Sequence, residues 1–366
     1  MKSTRRIGAM IFKEFRQLLR DRITITMVVV IPMFQLILYG YAINTEVTNI
    51  PVGVVDHSQS AFGRQLVETV KATRIIHVKQ IYATVKQAQE AIKEGRVQAV
   101  LVLPKDLMQR AAQGRVLGQW IVDGSDTIVS GAFKALQNMP LTDFDIPVRK
   151  AAPEKTFEIA IFYNPNQRSS VSIVPGLSGI ILTMTMVMFT SSAIVREKER
   201  GNIELLITTP IQPLELMVAK IMPYIVVGLI QVTIILGAGH LLFGVPINGS
   251  ILQILFVTLT FISASLSLGL LISTVAQTQM QASQMTIFIL LPSILLSGFV
   301  FSYDAMPIVA QWVAEVLPAT HFMRMIRGVV LRGADIVDMW PDTLWMLTFT
   351  AVGIFIAAKR FSKSLD

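Results

Sequence analysis

The sequence has no cysteine among its 366 residues. It therefore has no disulfide, no thiolate metal site and no cysteine nucleophile. Four histidines are present without the spacing of metal ligands: His57, His77, His240 and His321. We expect no metal and no cofactor on this chain.

Motifs for nucleotide hydrolysis and hydrolytic catalysis are also missing. A phosphate-binding P-loop ends in Gly-Lys-Ser or Gly-Lys-Thr. Lys precedes Ser or Thr at Lys2, Lys155 and Lys363, and none of these follows Gly. No HExxH zinc motif and no GxSxG elbow occurs. The sequence gives no support for an enzyme, and we expect no catalytic residue.

Charge is scarce and unevenly distributed. Charged residues make up 15% of the chain and hydrophobic residues 52%, whereas soluble domains carry about a quarter charged residues. Long windows hold no charge, while residues 44–168 have ordinary globular composition. The net charge of +8 fits a membrane protein with Lys and Arg at its cytoplasmic face, near anionic lipids, so we expect no nucleic-acid partner.

Apolar windows predict six transmembrane helices. A helix needs about 20 apolar residues to cross the hydrocarbon core, and a shorter sixth window is bracketed by tryptophans and by Lys359 and Arg360. The first run is too long for a signal-peptide core, so we take it as a retained anchor. The predicted spans are Ile23–Ile43, Val171–Val195, Ile221–Phe243, Ile251–Ser273, Met285–Tyr303 and Thr343–Ala358.

Lys and Arg in the short segments predict the orientation. They concentrate in residues 1–22, 196–220 and 359–366, so both termini are expected in the cytoplasm and the long loop outside. The predicted fold is an α-helical polytopic membrane protein, with an α/β extracytoplasmic domain (44–170) inserted between the first span (23–43) and the remaining five (171–358).

Residues 1–22 predict a cytoplasmic amphipathic helix in the plane of the lipid head groups. Its apolar face carries Ile7, Ile11 and Phe15. The alternative is a plain positive flank that sets topology. The candidate interfacial residues are Lys13, Glu14, Arg16 and Arg20.

Strand-like and helix-like runs alternate in the long loop from Ile50–Val55 to Thr156–Tyr163, which predicts a small α/β domain. Its turn residues Asp56, Ser58 and Ser60 suit either a ligand site or, as the simpler interpretation, a helix N-cap.

Residues 304–340 are apolar but interrupted by Pro307 and Pro318. We predict two short re-entrant or interfacial helices acting as a gate on the outer face. Ordinary surface amphipathic helices are the alternative. The candidate gate residues are Pro318, His321 and Phe322.

The pattern of residues in loop 196–220 predicts that it forms a surface for a partner protein. A dense mixed-charge cluster leads into an apolar stripe, a proline-marked turn and an amphipathic run. In an interface between two proteins, charges of this kind fix how the partners align, and the apolar residues become buried between them. A solvated loop with internal salt bridges is the alternative. The candidate coupling residues are Arg196, Glu197, Lys198, Glu199, Arg200, Gly201, Glu204 and Glu215.

At this loop a family resemblance becomes specific. Arg-Glu-Lys-Glu-Arg-Gly-Asn-Ile-Glu-Leu-Leu, then Thr-Pro-Ile and Glu-Leu-Met-Val-Ala-Lys, resembles the signature of type-2 ABC exporter permeases. Ile-Pro-Val-Gly-Val-Val-Asp, Phe-Tyr-Asn-Pro-Asn and Leu-Pro-Ala-Thr-His-Phe match the same family at other positions. The resemblance covers essentially the whole chain and points to the subgroup with a large outer domain.

The resemblance implies a dimeric permease of the bacterial inner membrane that binds two copies of a separate ABC ATPase. ATP and Mg would be bound by that ATPase, and loop 196–220 would act as its coupling helix. Substrates of the family include drugs and lipid-linked molecules. A periplasmic adaptor often takes part, and the dimer is formed by two identical or two related permeases.

Two other functions stay open at this stage. A secondary transporter usually places ionisable groups inside its bundle, whereas the predicted spans offer only His240 and neutral glutamines. Gln35, Gln231 and Gln253 more often hold helices together than bind cargo. A force-relay subunit that acts on an envelope enzyme without transport is the second alternative.

Overall fold

The computed structural model describes residues 49–139, 155–199 and 213–363. Several predicted elements lie outside these ranges: the interfacial helix 1–22, the first span 23–43, and the middle of loop 196–220. The candidate residues that fall there are Lys13, Glu14, Arg16, Arg20, Arg200, Gly201 and Glu204.

The first described part is an α/β unit in which strands and helices alternate. Its first and last strands agree closely with the predicted segments Ile50–Val55 and Thr156–Tyr163. The elements are β1 (Ile50–Asp56), α1 (Ala61–Ala72), β2 (Ile76–Ile81), α2 (Val85–Lys93), β3 (Ala99–Leu103), α3 (Leu107–Ala112), β4 (Gly118–Asp123), α4 (Thr127–Ala135) and β5 (Phe157–Phe162).

The five strands form one mixed sheet in the order β2-β1-β3-β4-β5. Only the β3–β4 pair is antiparallel. Apolar side chains pack on both faces, as expected of a sheet covered on two sides. One core contains Leu66, Trp120 and Phe133, and the other contains Ile92 and Val100 beneath α2.

The second part is a bundle of long helices. They are α5 (Ser169–Glu199), α6 (Pro213–Phe243), α7 (Ile251–Val275), α8 (Gln279–Leu296) and α11 (Trp340–Lys363). Between α8 and α11 lie two short helices, α9 (Ile308–Glu315) and α10 (Pro318–Arg327), and a π-helical turn, Gly328–Arg332.

Five helices among the described residues are long and apolar enough to cross a membrane. The predicted spans Val171–Val195, Ile221–Phe243, Ile251–Ser273 and Thr343–Ala358 lie within α5, α6, α7 and α11, respectively. The predicted span Met285–Tyr303 is wrong in its bounds. Its helix begins at Gln279, where the Thr278 side chain accepts from the backbone N–H of Gln281, and it ends before Gly298, whose φ is +87°.

The two ends of the bundle differ in what they contact. We call the end next to the α/β unit the domain end: there Arg168 donates to the carbonyl oxygens of Phe243 and Gly244 at 3.3 and 3.2 Å. The opposite end, where α5 ends and α8 begins, is the far end. Both short helices, α9 and α10, lie at the domain end.

Candidate functional site

Both described parts of the predicted coupling loop 196–220 are helical. Arg196, Glu197, Lys198 and Glu199 form the last turn of α5, and Pro213 and Glu215 open α6. The mixed charges of 196–199 are compatible with a helix α5 that continues past its apolar part. Pro213 suits the start of α6, because Pro is favoured in a first helical turn. The described candidate residues Arg196–Glu199 therefore lie at the far end, in the last turn of a long apolar helix.

Glu199 joins the tip of α5 to the start of α8. Its Oε1 accepts from the backbone N–H of Gln279 at 2.9 Å, and its Oε2 accepts from the Gln279 side-chain amide at 2.6 Å. A carboxylate at a helix N-terminus is favoured by the helix dipole. Glu199 thus ties the last turn of α5 to the first turn of α8.

At the domain end, the three candidate gate residues lie together on α10. Pro318 is its first residue. The ring of Phe322 is fully buried and stacks on Phe261 of α7 at a centroid distance of 4.1 Å. A Cβ atom on Gly179 of α5 would come within 2.8 Å of the Phe322 ring. Phe322 therefore packs α10 against two membrane helices.

His321 joins α10 to α9 and α11. Its Nδ1 lies 2.6 Å from Asp342 Oδ1, and its Nε2 lies 3.0 Å from the carbonyl oxygen of Glu315. The imidazole also stacks on Trp345 at 4.1 Å. Both ring nitrogens face oxygen acceptors, so His321 holds three elements in one arrangement.

Arg324, one turn after His321, extends this cluster. It donates to both carboxylate oxygens of Glu315 at 2.9 and 2.8 Å and lies 5.2 Å from the ring centre of Tyr303. Burial tends to raise the pKa of Glu315, but hydrogen bonds from Arg324 and Tyr303 outweigh it and hold the pKa below its usual range. Burial and the hydrogen bond to Glu315 raise the pKa of Tyr303.

Polar contacts join the α/β unit to the domain end of the bundle. Arg332 donates to Asp123 at 3.1 Å, and Gln98 donates to Asp304 at 2.5 Å. Burial raises the pKa of the Asp304 carboxyl, against the effect of the Gln98 hydrogen bond. The Arg332 and Asp123 side chains are 11% and 2% exposed, so this is a buried ion pair.

A cavity of about 560 Å³ lies between the α/β unit and the domain end. The α/β unit contributes Lys79, Arg96 and Asp126 to its wall, and the bundle contributes Tyr303 and Arg327. It contains many charged groups, whereas a second, smaller pocket between α6 and α7 is lined almost entirely by apolar side chains.

The domain-end cluster was mostly missed from the sequence. His321 was singled out, but Glu315, Arg324 and Asp342 were not assigned a role. A signal existed, because charged residues in an apolar segment near a membrane need partners. The sequence did not reveal which partners, since Asp342 and His321 belong to different helices.

Two smaller predictions are decided by the structure. Asp56 and Ser60 form a turn and an N-cap, because the Ser60 hydroxyl accepts from Gly63 N–H at 2.9 Å and Asp56 accepts from Ser58 N–H at 2.9 Å. Gln231 joins helices as predicted, accepting from the Thr185 hydroxyl at 2.9 Å.

Comparison with known proteins places the whole chain in one group. A family profile described as ABC-2 family transporter protein matches residues 22–359. The chain is similar to the Probable multidrug ABC transporter permease YbhS of Escherichia coli K12, with 28% identity over 100% of this chain and 98% of that protein.

Two further relatives agree. The Inner membrane transport permease YhhJ of Escherichia coli K12 is 28% identical over 100% of this chain and 99% of its own length. ABC transporter G family member 20 of Dictyostelium discoideum is 24% identical over 94% of this chain and 49% of its own length. The chain therefore belongs to the ABC-2 family of transporter proteins and is a membrane permease of that family.

Proposed function

We propose that the chain is the permease subunit of an ATP-driven exporter, which moves an amphipathic or hydrophobic substrate out of the cytoplasm or the inner leaflet. The observation that carries this proposal is the far end, where Arg196–Glu199 extends a membrane helix and Glu199 ties it to α8. In this arrangement, a partner ATPase that binds the end of α5 would move α5 and α8 together.

The distribution of charge in the bundle supports an external energy source. Within α5, α7 and α8 as described, Asp, Glu, Lys and Arg occur only in the last turn of α5. Ion-driven transporters usually carry such groups inside the bundle. We therefore favour two copies of an ABC ATPase, which bind ATP and Mg, over ion coupling.

Orientation and assembly complete the proposal. The far end carries Arg196, Lys198, Lys359 and Arg360, which supports a cytoplasmic far end and a periplasmic α/β unit. The first span, 23–43, would bring the number of spans to six. The predicted coupling loop 196–220 would form the contact with the ATPase, and the predicted interfacial helix 1–22 would lie beside it at the inner membrane surface.

Exposed helix surfaces support a dimer. Two helices have few buried residues in their apolar parts: 22% in Met222–Phe243 of α6 and 17% in Ile336–Arg360, which includes most of α11. The corresponding values for α5 and α7 are 61% and 67%. Helices α6 and α11 offer surface to lipid and to a second permease, identical or related. A periplasmic adaptor would contact the α/β unit, and the substrate path would run between the two permeases with α9 and α10 as its gate.

The proposal is tested by co-purification. The tagged full chain is extracted gently from native membranes, and the bound proteins are identified and quantified by mass spectrometry. We expect a P-loop ATPase in equal amount, and its loss in the double variant Arg196→Glu/Lys198→Glu. The control is Lys134→Glu, an exposed residue of the α/β unit.

The opposite results have clear meanings. Transport by the purified chain in vesicles without any ATPase would overturn the proposal in favour of a secondary transporter. An ATPase that remains bound to the double variant as it does to the unaltered chain would remove the coupling role from the α5 tip.

A further inference from the structure

The cavity between the α/β unit and the domain end has the size of a ligand site. Its volume of about 560 Å³ lies within the range of about 300–1,000 Å³ found for small-molecule pockets. Its walls come from two parts of the chain, and sites between such parts are common. The charged groups of its wall indicate whether the ligand is a cation or an anion.

The acidic groups of the wall are already engaged. Glu315 accepts from Arg324, and Asp342 faces His321. Asp304 accepts from Gln98, and Asp338 accepts from the backbone N–H of Asp335. Asp126 caps α4 by accepting from Ile128 N–H at 2.9 Å. With Glu94, which pairs with Arg96, each carboxylate of the wall therefore has a partner within the chain.

The basic groups, in contrast, have donors to spare. The Arg327 side chain is only 12% exposed, yet among the described residues it makes no hydrogen bond; its one ion-pair contact, to Asp126, is 3.7 Å long. The Nε atoms of Arg324 and Arg332 are likewise buried and unpartnered within the described part of the chain. A buried donor without an acceptor is costly.

Surplus donors of this kind fit an oxyanion. A guanidinium presents paired N–H groups that match phosphate or carboxylate oxygens. Lys79 lines the same cavity from the α/β unit and is exposed, and its ammonium group donates to the carbonyl oxygen of Arg96 at 3.1 Å. An ammonium has three donors, so Lys79 can also serve a ligand.

We propose that this cavity binds the phosphate or carboxylate head group of an amphiphile, with Arg327 as the principal contact and Lys79 as a second. The inference deepens the proposed function by naming the chemical class of its substrate. The cavity adjoins the ends of the apolar helices, so a bound head group would leave its tail beside α8 and α11.

The test measures binding by the purified full chain in a neutral detergent, with no ATPase present. The probes are dodecyl phosphate, inorganic phosphate and dodecyltrimethylammonium. The signal is the fluorescence of Trp345, which lines the cavity. The exposed Trp312 and Trp340 are replaced by Phe, which leaves Trp120 buried in the α/β unit as an internal reference.

We expect dodecyl phosphate to bind more tightly than either other probe, and Arg327→Gln to weaken it at least tenfold. Arg115→Gln, an exposed arginine of the α/β unit outside the cavity wall, is expected to leave affinity unchanged. If Arg327→Gln does not fold, Lys79→Gln decides: a severalfold weaker affinity supports the site.

Three results would overturn the inference. They are unchanged dodecyl phosphate affinity in both cavity variants, equal binding of dodecyltrimethylammonium, and inorganic phosphate binding as tightly as dodecyl phosphate. The last result would assign the cavity to a free anion. Because no transport is measured, a negative binding result would not contradict the exporter proposal. Likewise, a failure to co-purify an ATPase would not contradict a positive binding result.

Discussion

Phe322 shows how one side chain fixes the position of a short helix. Its ring fills the space between Phe261 and Gly179, so removal would leave a cavity that α5 and α7 cannot close. We expect Phe322→Ala to destabilise the chain by about 3–5 kcal/mol, the range found for Phe to Ala in packed cores. Thermal unfolding of the purified chain in detergent measures the effect.

The matched control is Phe355→Ala, because Phe355 is 65% exposed on the outside of α11. It is expected to change the unfolding midpoint little. Equal losses in the two variants would contradict the packing role of Phe322.

Glu315 gives a residue-scale prediction with a pH dependence. Its folded pKa is lowered, so its ionised form stabilises the fold at neutral pH, and that contribution is lost as pH falls through the lowered pKa. Glu315→Gln should therefore lower the thermal midpoint at pH 7 and have progressively less effect below about pH 4.

Glu68→Gln serves as control, since the Glu68 side chain is 68% exposed in its pair with Lys71 and exposed pairs contribute about 0–1 kcal/mol. A Glu315→Gln penalty that is constant from neutral to acid pH would show that its carboxylate charge is not the stabilising group.

At the scale of elements, glycine sets how closely α5 and α7 approach. A Cβ atom on Gly269 of α7 would lie 2.9 Å from both the Val187 carbonyl oxygen and the Thr190 Cβ. Gly269→Ala should force the helices apart and cost about 1–3 kcal/mol. Detergent stability by thermal scanning fluorimetry tests this.

Gly237 of α6 provides the comparison, because nothing among the described residues lies within 4 Å of its ideal Cβ position. Gly237→Ala is expected to be neutral or slightly stabilising, since Ala favours the helix by up to about 1 kcal/mol. A milder effect at Gly269 than at Gly237 would be incompatible with close α5–α7 packing.

The sequence predicted elements better than their ends. Apolar runs located the described spans because a lipid-exposed helix needs uninterrupted apolar length. The same criterion placed the α8 span too late, because Gln279 and Gln281 at its start are polar and count against a span. The α5 tip was assigned to a loop for the same reason, although charge does not end a helix.

At the scale of the whole molecule, the α/β unit is fastened to the bundle by the Asp123–Arg332 pair. Breaking a buried pair by removing one charge costs about 3–5 kcal/mol, because the remaining charge stays buried. Asp123→Asn should therefore lower the unfolding midpoint and increase proteolysis between the α/β unit and α5.

Asp106→Asn is the control for this pair. It removes a partly exposed contact with Arg110 inside the α/β unit, and such exposed ion pairs contribute little to stability because water and salt screen them. If the two variants are cut equally fast, the Asp123–Arg332 pair does not hold the unit in place.

Contacts between distant segments were the part that the sequence did not predict. Arg324, Arg327 and Arg332 all belong to the segment 304–340, and their partners Glu315, Asp126 and Asp123 lie on other elements. Periodicity reports which face of a helix is apolar, but it contains no information on which helix ends meet.

The separation between Asp123 and Arg332 also bears on how the molecule is made. The two residues are 209 positions apart, so during synthesis the sheet emerges well before the π-helical turn that carries its partner. Domains generally fold as units, N-terminal first. The Asp123 carboxylate on the folded sheet therefore stays in water, without its ion-pair partner, until the helices α5 to α8 have been inserted. Docking of the α/β unit is accordingly a late event that follows insertion of these helices, and its protection from protease offers a direct measure of correct biogenesis.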